Sequence, residues 1–515
     1  MQKKLLAVAV LSAFSGVAAA QSANVTLYGN IVQHVEWAGT SGGDGTAANA
    51  AGAGTGSSFR STAASMTANR VATTATGVNA AFLSNAGVAD QTGRFRFNPA
   101  GSHFGLRGNE DLGNGLSAWF QIELSANFGS NPGFGATSEG RAPTMRNTGV
   151  GLRSTTWGTV LFGVWDTPFN VAVNSTMNAN TRIGGASTGH HANLLGGNVL
   201  AQGAVSGQAT QAWCAAAGAA LNTAGQCANF GMNFDRRERS SIQWWSPNWN
   251  GFEVRGAYNV TQDTGGVTVN NQAGNRNALK QSIWDLTVAY TNGPLSVGYA
   301  YERQNDTLAA AARTFGGAGM AGGEVNAATG LSGAWVMGST STAALNGSHM
   351  SGSKGTGHRF GGKYAFSNGI GVGAMWESLK WDMSYGVDAG AAATTTLNSQ
   401  LLTGLKKTAF RLQANYTTGS HFIAMDYVRA NATSGSIGQA LTGAVVNSFD
   451  GSASGARAWQ LNYNYALSKR TSIGAFYNTI RNETNAFYSG IVFAGVATPA
   501  GATANYTGMQ LRHAF

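Results

Sequence analysis

The feature that most constrains this chain is an alternation of apolar and polar residues in segments of about ten residues, the length of a membrane-crossing strand. Leu116, Phe120 and Leu124 fall on one face of such a segment. Ser117 and Gln121 fall on the other face. After residue 20, no apolar stretch approaches the ~20 residues that a spanning helix needs. The sequence therefore predicts β-strands that each present one apolar and one polar face.

Sixteen such segments can be counted, and an even number of strands brings both ends of a barrel to one side of the membrane. The predicted strands are residues 25–37, 102–108, 115–125, 144–153, 157–165, 236–246, 251–259, 281–291, 294–304, 356–366, 369–379, 408–418, 420–430, 456–466, 470–481 and 505–515. The connections between them alternate in length. Short ones carry turn residues, as in Asn292-Gly293.

The eight long connections all lie on the opposite side of the predicted barrel from the short turns. They are residues 38–101, 126–143, 166–235 (loop 3 below), 260–280, 305–355, 380–407, 431–455 and 482–504. Short turns on one side and long loops on the other are typical of outer-membrane barrels. The predicted fold is all-β, a single 16-stranded antiparallel transmembrane β-barrel over residues 21–515.

Composition separates this barrel from soluble β folds. Charged residues make up 10% of the chain, whereas soluble domains average ~25%. A β-solenoid would fit the same composition, but the segment periodicity favours the barrel. A sandwich would have shorter strands bounded by more proline turns, and this chain has 7 prolines.

The N-terminus predicts export. Lys3 and Lys4 precede an apolar run from Leu5 to Phe14, and small residues lead to Ala20. This order is typical of a secretory signal peptide, which we expect to cover residues 1–20 and to be cleaved.

The chain is basic without a concentrated basic segment. The formal net charge is +10, and loss of Lys3 and Lys4 leaves 10 − 2 = +8. Scattered charges argue against a nucleic-acid partner and indicate a mild bias towards anions. No cofactor or metal is expected. Cys214 and Cys227, the only cysteines, are expected to form a disulfide after export, with two free thiols as the alternative.

Several motifs together resemble the general diffusion porins of Gram-negative bacteria, especially the trimeric porins of Neisseria, Bordetella and Comamonas relatives. The most specific runs from His103 to Leu116, and the others are Val25–Gly29, Arg146–Leu152, Gly158–Val160, Phe234–Arg237, Ser246–Phe252, Tyr465–Thr471 and Gly508–Phe515. The resemblance implies an outer-membrane homotrimer that admits small hydrophilic solutes and contacts outer-membrane lipid and lipopolysaccharide. Phe515 is similar to the signal that the barrel-assembly machinery recognises. An anchoring aromatic residue at the membrane interface is the other reading of Phe515.

The resemblance also implies that loop 3 folds into the lumen and faces basic residues on the opposite wall. Asp166 looks like the entry to this loop. Arg182 is the only charged residue between Asp166 and Asp235. Because cation-preferring porins carry several carboxylates here, the sequence predicts a weak anion preference. Related porins often carry a basic residue where this chain has Val164, so a tight arginine cluster is not expected.

Alternation indicates which polar residues face the pore, since a charge facing lipid near mid-membrane costs about 2–4 kcal/mol. If Phe104 and Leu106 face lipid, then His103 and Arg107 face water. Arg237 and Arg239 face water only if the alternation that places Ile242 and Trp244 on the lipid side extends back to residue 237. The full set of pore-lining and constriction candidates is His103, Arg107, Glu123, Asp166, Arg182, Arg237, Arg239, Arg255, Arg359, Lys363, Arg411 and Arg512.

Two other functions compete with passive diffusion. A substrate-specific porin for organic acids, phosphate or sugars would use wall aromatics such as Trp119, Trp165 and Trp245 to stack on a solute, although packing is the simpler role for these rings. A barrel enzyme would need a nucleophile, a histidine and an orienting group within reach. The histidines are scattered and no Gly-x-Ser-x-Gly elbow is present, so we expect no enzyme.

Overall fold

The structure is a computed structural model that describes most of the strand-forming sequence. The described residues are 24–43, 93–99, 101–126, 143–171, 194–196, 234–260, 282–305, 325–326, 331–332, 348–349, 354–383, 386–387, 402–434, 437–441, 444–448, 453, 455–483, 486, 488 and 501–515. Arg182, Cys214 and Cys227 lie outside them, so the proposed disulfide stays a prediction.

Sixteen long strands form one closed antiparallel sheet, which confirms the predicted barrel. They are β1 (Asn24–Ser41), β2 (His103–Gly113), β3 (Leu116–Ser125), β4 (Thr148–Ser154), β5 (Gly158–Asp166), β6 (Arg237–Trp245), β7 (Phe252–Val260), β8 (Ser282–Asn292), β9 (Leu295–Asn305), β10 (Lys354–Ala365), β11 (Ile370–Met383), β12 (Leu402–Thr418), β13 (His421–Ala430), β14 (Ala456–Ala466), β15 (Thr471–Asn482) and β16 (Thr503–Ala514). Each pairs with its sequence neighbours, and β1 closes the barrel against β16.

Burial follows the alternation that the sequence predicts. On β13, Phe422, Ala424 and Val428 are buried on the inner side, whereas Ile423 and Met425 are exposed on the outer side. An outer face of exposed apolar residues is the surface that a barrel presents to lipid. The described residues contain no helix that is long and apolar enough to cross a membrane.

The short turns explain part of the glycine content. Gly113, Asn114 and Gly115 all have positive φ angles, of 84°, 52° and 75°. A left-handed backbone favours glycine and asparagine, because other side chains crowd the following carbonyl group. This turn joins β2 to β3 at the short-turn end of the barrel.

The second strand differs from its prediction. A short strand, Arg94–Asn98, pairs with the upper half of β1, and β2 pairs with the lower half. Between them the Ser102 hydroxyl bonds both the amide and the carbonyl group of Val32, each at 2.8 Å. Residues 94–98, which the prediction assigned to a long connection, therefore continue β2 across a break at Pro99.

Strands β11 and β12 are also longer than predicted. β11 continues to Met383 and β12 begins at Leu402, so both rise above the segments 369–379 and 408–418. A hairpin of Ile437–Leu441 and Ala444–Ser448 pairs with the start of β12. The wall on this side of the barrel is therefore taller than the sequence indicated.

Candidate functional site

The structure ends β5 at Asp166 and begins β6 at Arg237, so loop 3 runs from residue 167 to residue 236 instead of the predicted 166–235. Its described parts pack inside the barrel. Phe169 and Phe234 are fully buried, and their ring centroids lie 5.7 Å apart. Phe234 also packs against Trp381 of β11, at 5.5 Å. Leu194 is equally buried in this cluster. Aromatic contacts at these distances hold the described ends of loop 3 against the inner wall.

Arg359 of β10 connects the wall to both ends of loop 3. Its guanidinium group bonds Glu377 of the neighbouring strand at 2.9 Å and forms an ion pair with Asp235. It also donates to the carbonyl oxygen of Phe169 at 3.3 Å. Arg359 and Glu377 are both 0% exposed. The arginine therefore faces inward, but it lies beneath loop 3 rather than in open water.

Three further wall groups bind the loop backbone. Glu377 accepts the Gly196 amide through both carboxylate oxygens, at 2.9 and 3.1 Å. Lys407 donates to the Leu194 carbonyl at 2.6 Å, and Asp285 accepts the Phe169 amide at 3.3 Å. We refer to Asp235, Asp285, Arg359, Glu377 and Lys407 as the loop 3 anchor. Charge-assisted bonds of this kind are about twice as strong as neutral ones.

Lys407 was not among the site residues predicted from the sequence. Lys407 follows the same two-residue alternation as the inward Arg411, but the predicted strand began at residue 408 and left Lys407 in a loop. Alternation extended by one residue would have placed it on the inner face. Asp285 and Glu377 were not among the predicted pore-lining candidates, and their bonds to loop 3 had no sequence signal.

Five cations lie on the inner face towards the short-turn ends of their strands. Arg107 stacks over the Tyr28 ring at 5.1 Å, Arg153 over Trp119 at 5.7 Å and Arg255 over Trp245 at 4.9 Å. Arg512 bonds the Asn30 side chain at 2.8 Å, and Lys363 is half-buried on β10. We call Arg107, Arg153, Arg255, Lys363 and Arg512 the inner cations. Arg255 forms an ion pair with Glu253 at 2.7 Å.

Glu123 and Arg411 take part in inner-face ion pairs. Glu123 binds Arg146 at 2.6 Å and accepts the Tyr28 hydroxyl at 3.0 Å. Arg411 binds the buried Asp426 at 2.9 Å. His103, also on the inner face, is half-buried and lies 2.9 Å from the Gly101 carbonyl oxygen. Whether any of these residues borders a constriction stays a prediction.

A bulge interrupts the alternation at the start of β6. Ser240 has a positive φ of 56°, and the register against β5 shifts between Gly163 and Trp165. Alternation from Ile242 and Trp244 therefore no longer predicts the orientation of the residues before Ser240. Arg237 binds Asp166 at 3.0 Å at this rim, and Arg239 is exposed.

Three tryptophans form a cluster on the inner wall. Trp165 lies between Trp119 and Trp245, with ring centroids separated by 5.7 and 5.8 Å. Arg153 and Arg255 stack on the two outer rings. Trp119 is buried, whereas Trp165 and Trp245 are partly exposed. The cluster combines flat apolar surface with two cations. No group of residues suited to hold a metal ion occurs in the ranges that the structure describes.

Comparison with known proteins agrees with this architecture. A family model described as Gram-negative porin matches residues 7–485. An outer membrane porin of Bordetella pertussis is 27% identical over 209 residues, which are 40% of this chain. The match spans 42% of that relative's length. The solved anion-selective porin from Comamonas acidovorans superposes with a TM-score of 0.53 at 17% identity, covering 96% of this chain and 100% of that one. At this identity the superposition establishes the fold.

Proposed function

This chain belongs to the Gram-negative porin family, and from that premise we propose that it is an outer-membrane channel for passive diffusion of small hydrophilic solutes and ions, with a weak anion preference. Porins are transport channels, and we propose that the chain has no catalytic role. The family match and the closed barrel, with the described parts of loop 3 packed inside it, support this function. The inner cations carry the proposed selectivity.

The inner cations outnumber the acids that accompany them. Five cations share the short-turn half of the inner face: Arg107, Arg153, Arg255, Lys363 and Arg512. Glu253 offsets the charge of Arg255. The loop 3 anchor adds little to the field, because Arg359 is compensated by Asp235 and Glu377. Rings of charge in a wide aqueous pore bias ion passage without excluding the opposite ion. This supports a weak preference rather than strict selection.

Localisation and partners extend this proposal. Outer-membrane relatives support the location, and the N-terminal pattern supports cleavage of residues 1–20 before assembly. A homotrimer is proposed from the family resemblance. Outer-membrane lipid and lipopolysaccharide would surround the apolar outer face. The barrel-assembly machinery would recognise Phe515, whose ring is exposed on that face.

The selectivity can be tested by replacing four inner cations. In a planar bilayer with a salt gradient, we expect the wild-type protein to give a reversal potential whose sign indicates a preference for anions. The variant R107Q/R153Q/K363Q/R512Q should lose this preference, because the lumen loses four positive charges. The matched control is K406Q/R429Q/R457Q/R481Q. These four side chains are exposed and share the outer faces of their strands with the exposed Leu412, Ile423, Trp459 and Tyr477, so their loss should leave the reversal potential unchanged. A cation preference of the wild-type channel would contradict the proposal.

The tryptophan cluster favours the alternative of a channel specific for organic acids. An aromatic carboxylate would stack on Trp165 or Trp245 while Arg153 or Arg255 binds its charge. Passive diffusion predicts that benzoate, at concentrations far below that of the salt, leaves single-channel conductance unchanged. A saturable block by benzoate that the W245L variant abolishes would instead establish the specific channel. Acetate, which lacks the ring, is the control solute.

A further inference from the structure

A buried polar cluster lies on the inner face where β1 pairs with the short strand Arg94–Asn98. Its members are His34 and Glu36 of β1 and Arg96 and Asn98 of the short strand, and we call them the β1 cluster. His34, Glu36 and Asn98 are at most 5% exposed, and the Arg96 side chain is 13% exposed. The cluster shares no residue with the inner cations or with the loop 3 anchor.

Glu36 holds the guanidinium group of Arg96 in one orientation. The two residues are direct register partners, and the Arg96 Nε atom donates to Glu36 Oε1. The Asn98 side-chain amide donates to the same oxygen at 3.2 Å. The guanidinium carbon of Arg96 also lies 5.4 Å from the ring centroid of Tyr506 on β16. Because Nε is bound to Glu36, the terminal nitrogens Nη1 and Nη2 are the ones that can bind a further group.

The β1 cluster contains buried nitrogen atoms without partners. Within the described residues, neither Nη1 nor Nη2 of Arg96 and neither ring nitrogen of His34 has a hydrogen-bond partner. The His34 Nδ1 atom lies 3.9 Å from Glu36 Oε2, which is too far for a hydrogen bond. Buried polar groups are nearly always paired in native proteins, because an unpaired group has lost its bonds to water. The unpaired nitrogens therefore indicate a polar ligand between Arg96 and His34.

The spacing of these two side chains suits a small ion. His34 pairs with Asn98, so it is the diagonal neighbour of Arg96, and diagonal positions on one face are ~7–8 Å apart. Phe476 of β15 packs on the imidazole ring, with ring centroids 4.9 Å apart. This contact orients the ring and excludes water from one side of it. Hydrogen bonds to an ion are stronger where water is excluded.

The donors and acceptors of the cluster indicate an oxyanion that carries a proton. Nη1 and Nη2 of Arg96 only donate, and their spacing matches two oxygen atoms of an oxyanion. A neutral imidazole has one donor and one acceptor, so the acceptor nitrogen of His34 requires a ligand that donates. Glu36 places a negative charge beside the same position. Phosphate keeps at least one proton at neutral pH and can donate it, whereas sulfate has none.

The β1 cluster lies across the lumen from the loop 3 anchor. The described parts of loop 3 bind residues of β8, β10, β11 and β12. In a closed barrel of sixteen strands, β1 lies opposite β9, which is at the centre of that group. Because the side chains of the cluster point inward, a ligand would reach them from solution in the lumen and not from the membrane.

We propose that the β1 cluster is a binding site for inorganic phosphate inside the channel. Arg96 binds two phosphate oxygens through Nη1 and Nη2, and the ion donates its hydrogen atom to His34 or Glu36. The proposal rests on the channel function above, because phosphate reaches the site through the lumen. Glu36 offsets the charge of Arg96, so the ion is held weakly enough to leave again, as passage through a pore requires.

Calorimetric titration of the refolded protein in detergent with inorganic phosphate tests the site. We expect the wild-type barrel to bind phosphate and to bind sulfate about tenfold more weakly or less, because Glu36 repels an ion that has no proton to donate. R96Q should weaken phosphate binding by about tenfold or more, since it removes charge-assisted bonds. E36Q should bring the affinity for sulfate close to that for phosphate. Equal affinities of the wild type for the two ions would overturn the proposal.

H34F distinguishes loss of the site from loss of folding. Phenylalanine retains the packing against Phe476 and removes both unpaired ring nitrogens, so the barrel should be as stable as the wild type or more stable. Phosphate binding should nevertheless weaken. The matched control for R96Q is R107Q, which removes an inner cation from the short-turn half and should lower the phosphate affinity only slightly. An equal loss in R96Q and R107Q would refute the site, because the positive lumen as a whole would then attract the ion.

Single-channel conductance in chloride tests the porin function separately from the phosphate site. A wild-type barrel that conducts but does not bind phosphate would refute the β1 cluster alone. A barrel that binds phosphate through Arg96 but does not conduct would refute the channel function and leave the site established.

Discussion

Replacement of Arg359 by methionine should lower the free energy of unfolding by about 3–5 kcal/mol, the usual cost of removing one partner from a buried ion pair. Arg359 and Glu377 are both fully buried, and Arg359 also neutralises Asp235 and binds the Phe169 carbonyl. Methionine retains much of the apolar stem but leaves Glu377 without its cation. We also expect loop 3 to lose its attachment, so single-channel conductance should become larger or noisier.

Urea titration of the refolded barrel and bilayer recordings would measure both effects. The matched control is R255M, because the Arg255–Glu253 pair is partly exposed and exposed pairs contribute about 1 kcal/mol or less. The double variant R359M/E377Q should regain part of the lost stability, since it removes the buried uncompensated carboxylate. If R359M and R255M lower the free energy of unfolding by the same amount, the loop 3 anchor does not hold the loop against the wall.

Replacement of Phe515 by alanine should reduce the amount of barrel assembled in the outer membrane about tenfold, the effect of roughly 1.4 kcal/mol on a rate-determining step. The backbone of Phe515 continues the β16 ladder through two 3.0 Å bonds to Gly29. Its ring lies over Gly29, where an added Cβ would come within 2.3 Å of the ring. The side chain is exposed to the outside, where a recognition factor has access to it.

Two assays distinguish recognition by the assembly machinery from simple anchoring at the interface. In cells, heat-modifiable barrel in outer-membrane fractions would report assembly of F515A. In vitro, spontaneous refolding into vesicles would report the intrinsic contribution of the ring. A signal role predicts a large loss in cells and near-normal refolding in vitro. An equal loss in both assays would mean that Phe515 only anchors the strand. F366A, which removes another exposed aromatic residue at a short turn, is the control.

The strands were predictable because each barrel strand carries its own two-residue pattern, which is a local property of the sequence. The loop 3 anchor was not predictable for the opposite reason. Lys407 and the Leu194 carbonyl that it binds are 213 residues apart, and Arg359 and Asp235 are 124 residues apart. Pairing over such distances depends on how loop 3 folds back, and its low-charge sequence carries no periodic signal.

Where the observed strands differ from the predicted ones, the cause lies in the neighbouring sequence. Residues 94–98 alternate like a strand, with Phe95 and Phe97 outward, but Pro99 separates them from the strand that they continue. Proline cannot donate a ladder hydrogen bond, so the ladder is interrupted there, and the predicted strand began only at residue 102. At Ser240 a bulge adds a residue and shifts the alternation. Outward charges at the long-loop ends, such as Arg429, Arg457 and Arg481, were not singled out, because the cost of a lipid-facing charge was applied near mid-membrane and falls towards the interface.

Lys406 and Lys407 are adjacent on β12 and belong to different environments. Lys406 points outward and is exposed, whereas Lys407 points inward and binds the Leu194 carbonyl of loop 3. Each barrel strand thus carries two interleaved sets of residues, one adapted to the membrane and one adapted to the solute path. Substitutions can alter either set without changing the other. Insertion or deletion of a single residue would exchange the two sets, because a one-residue slip turns every side chain to the opposite face.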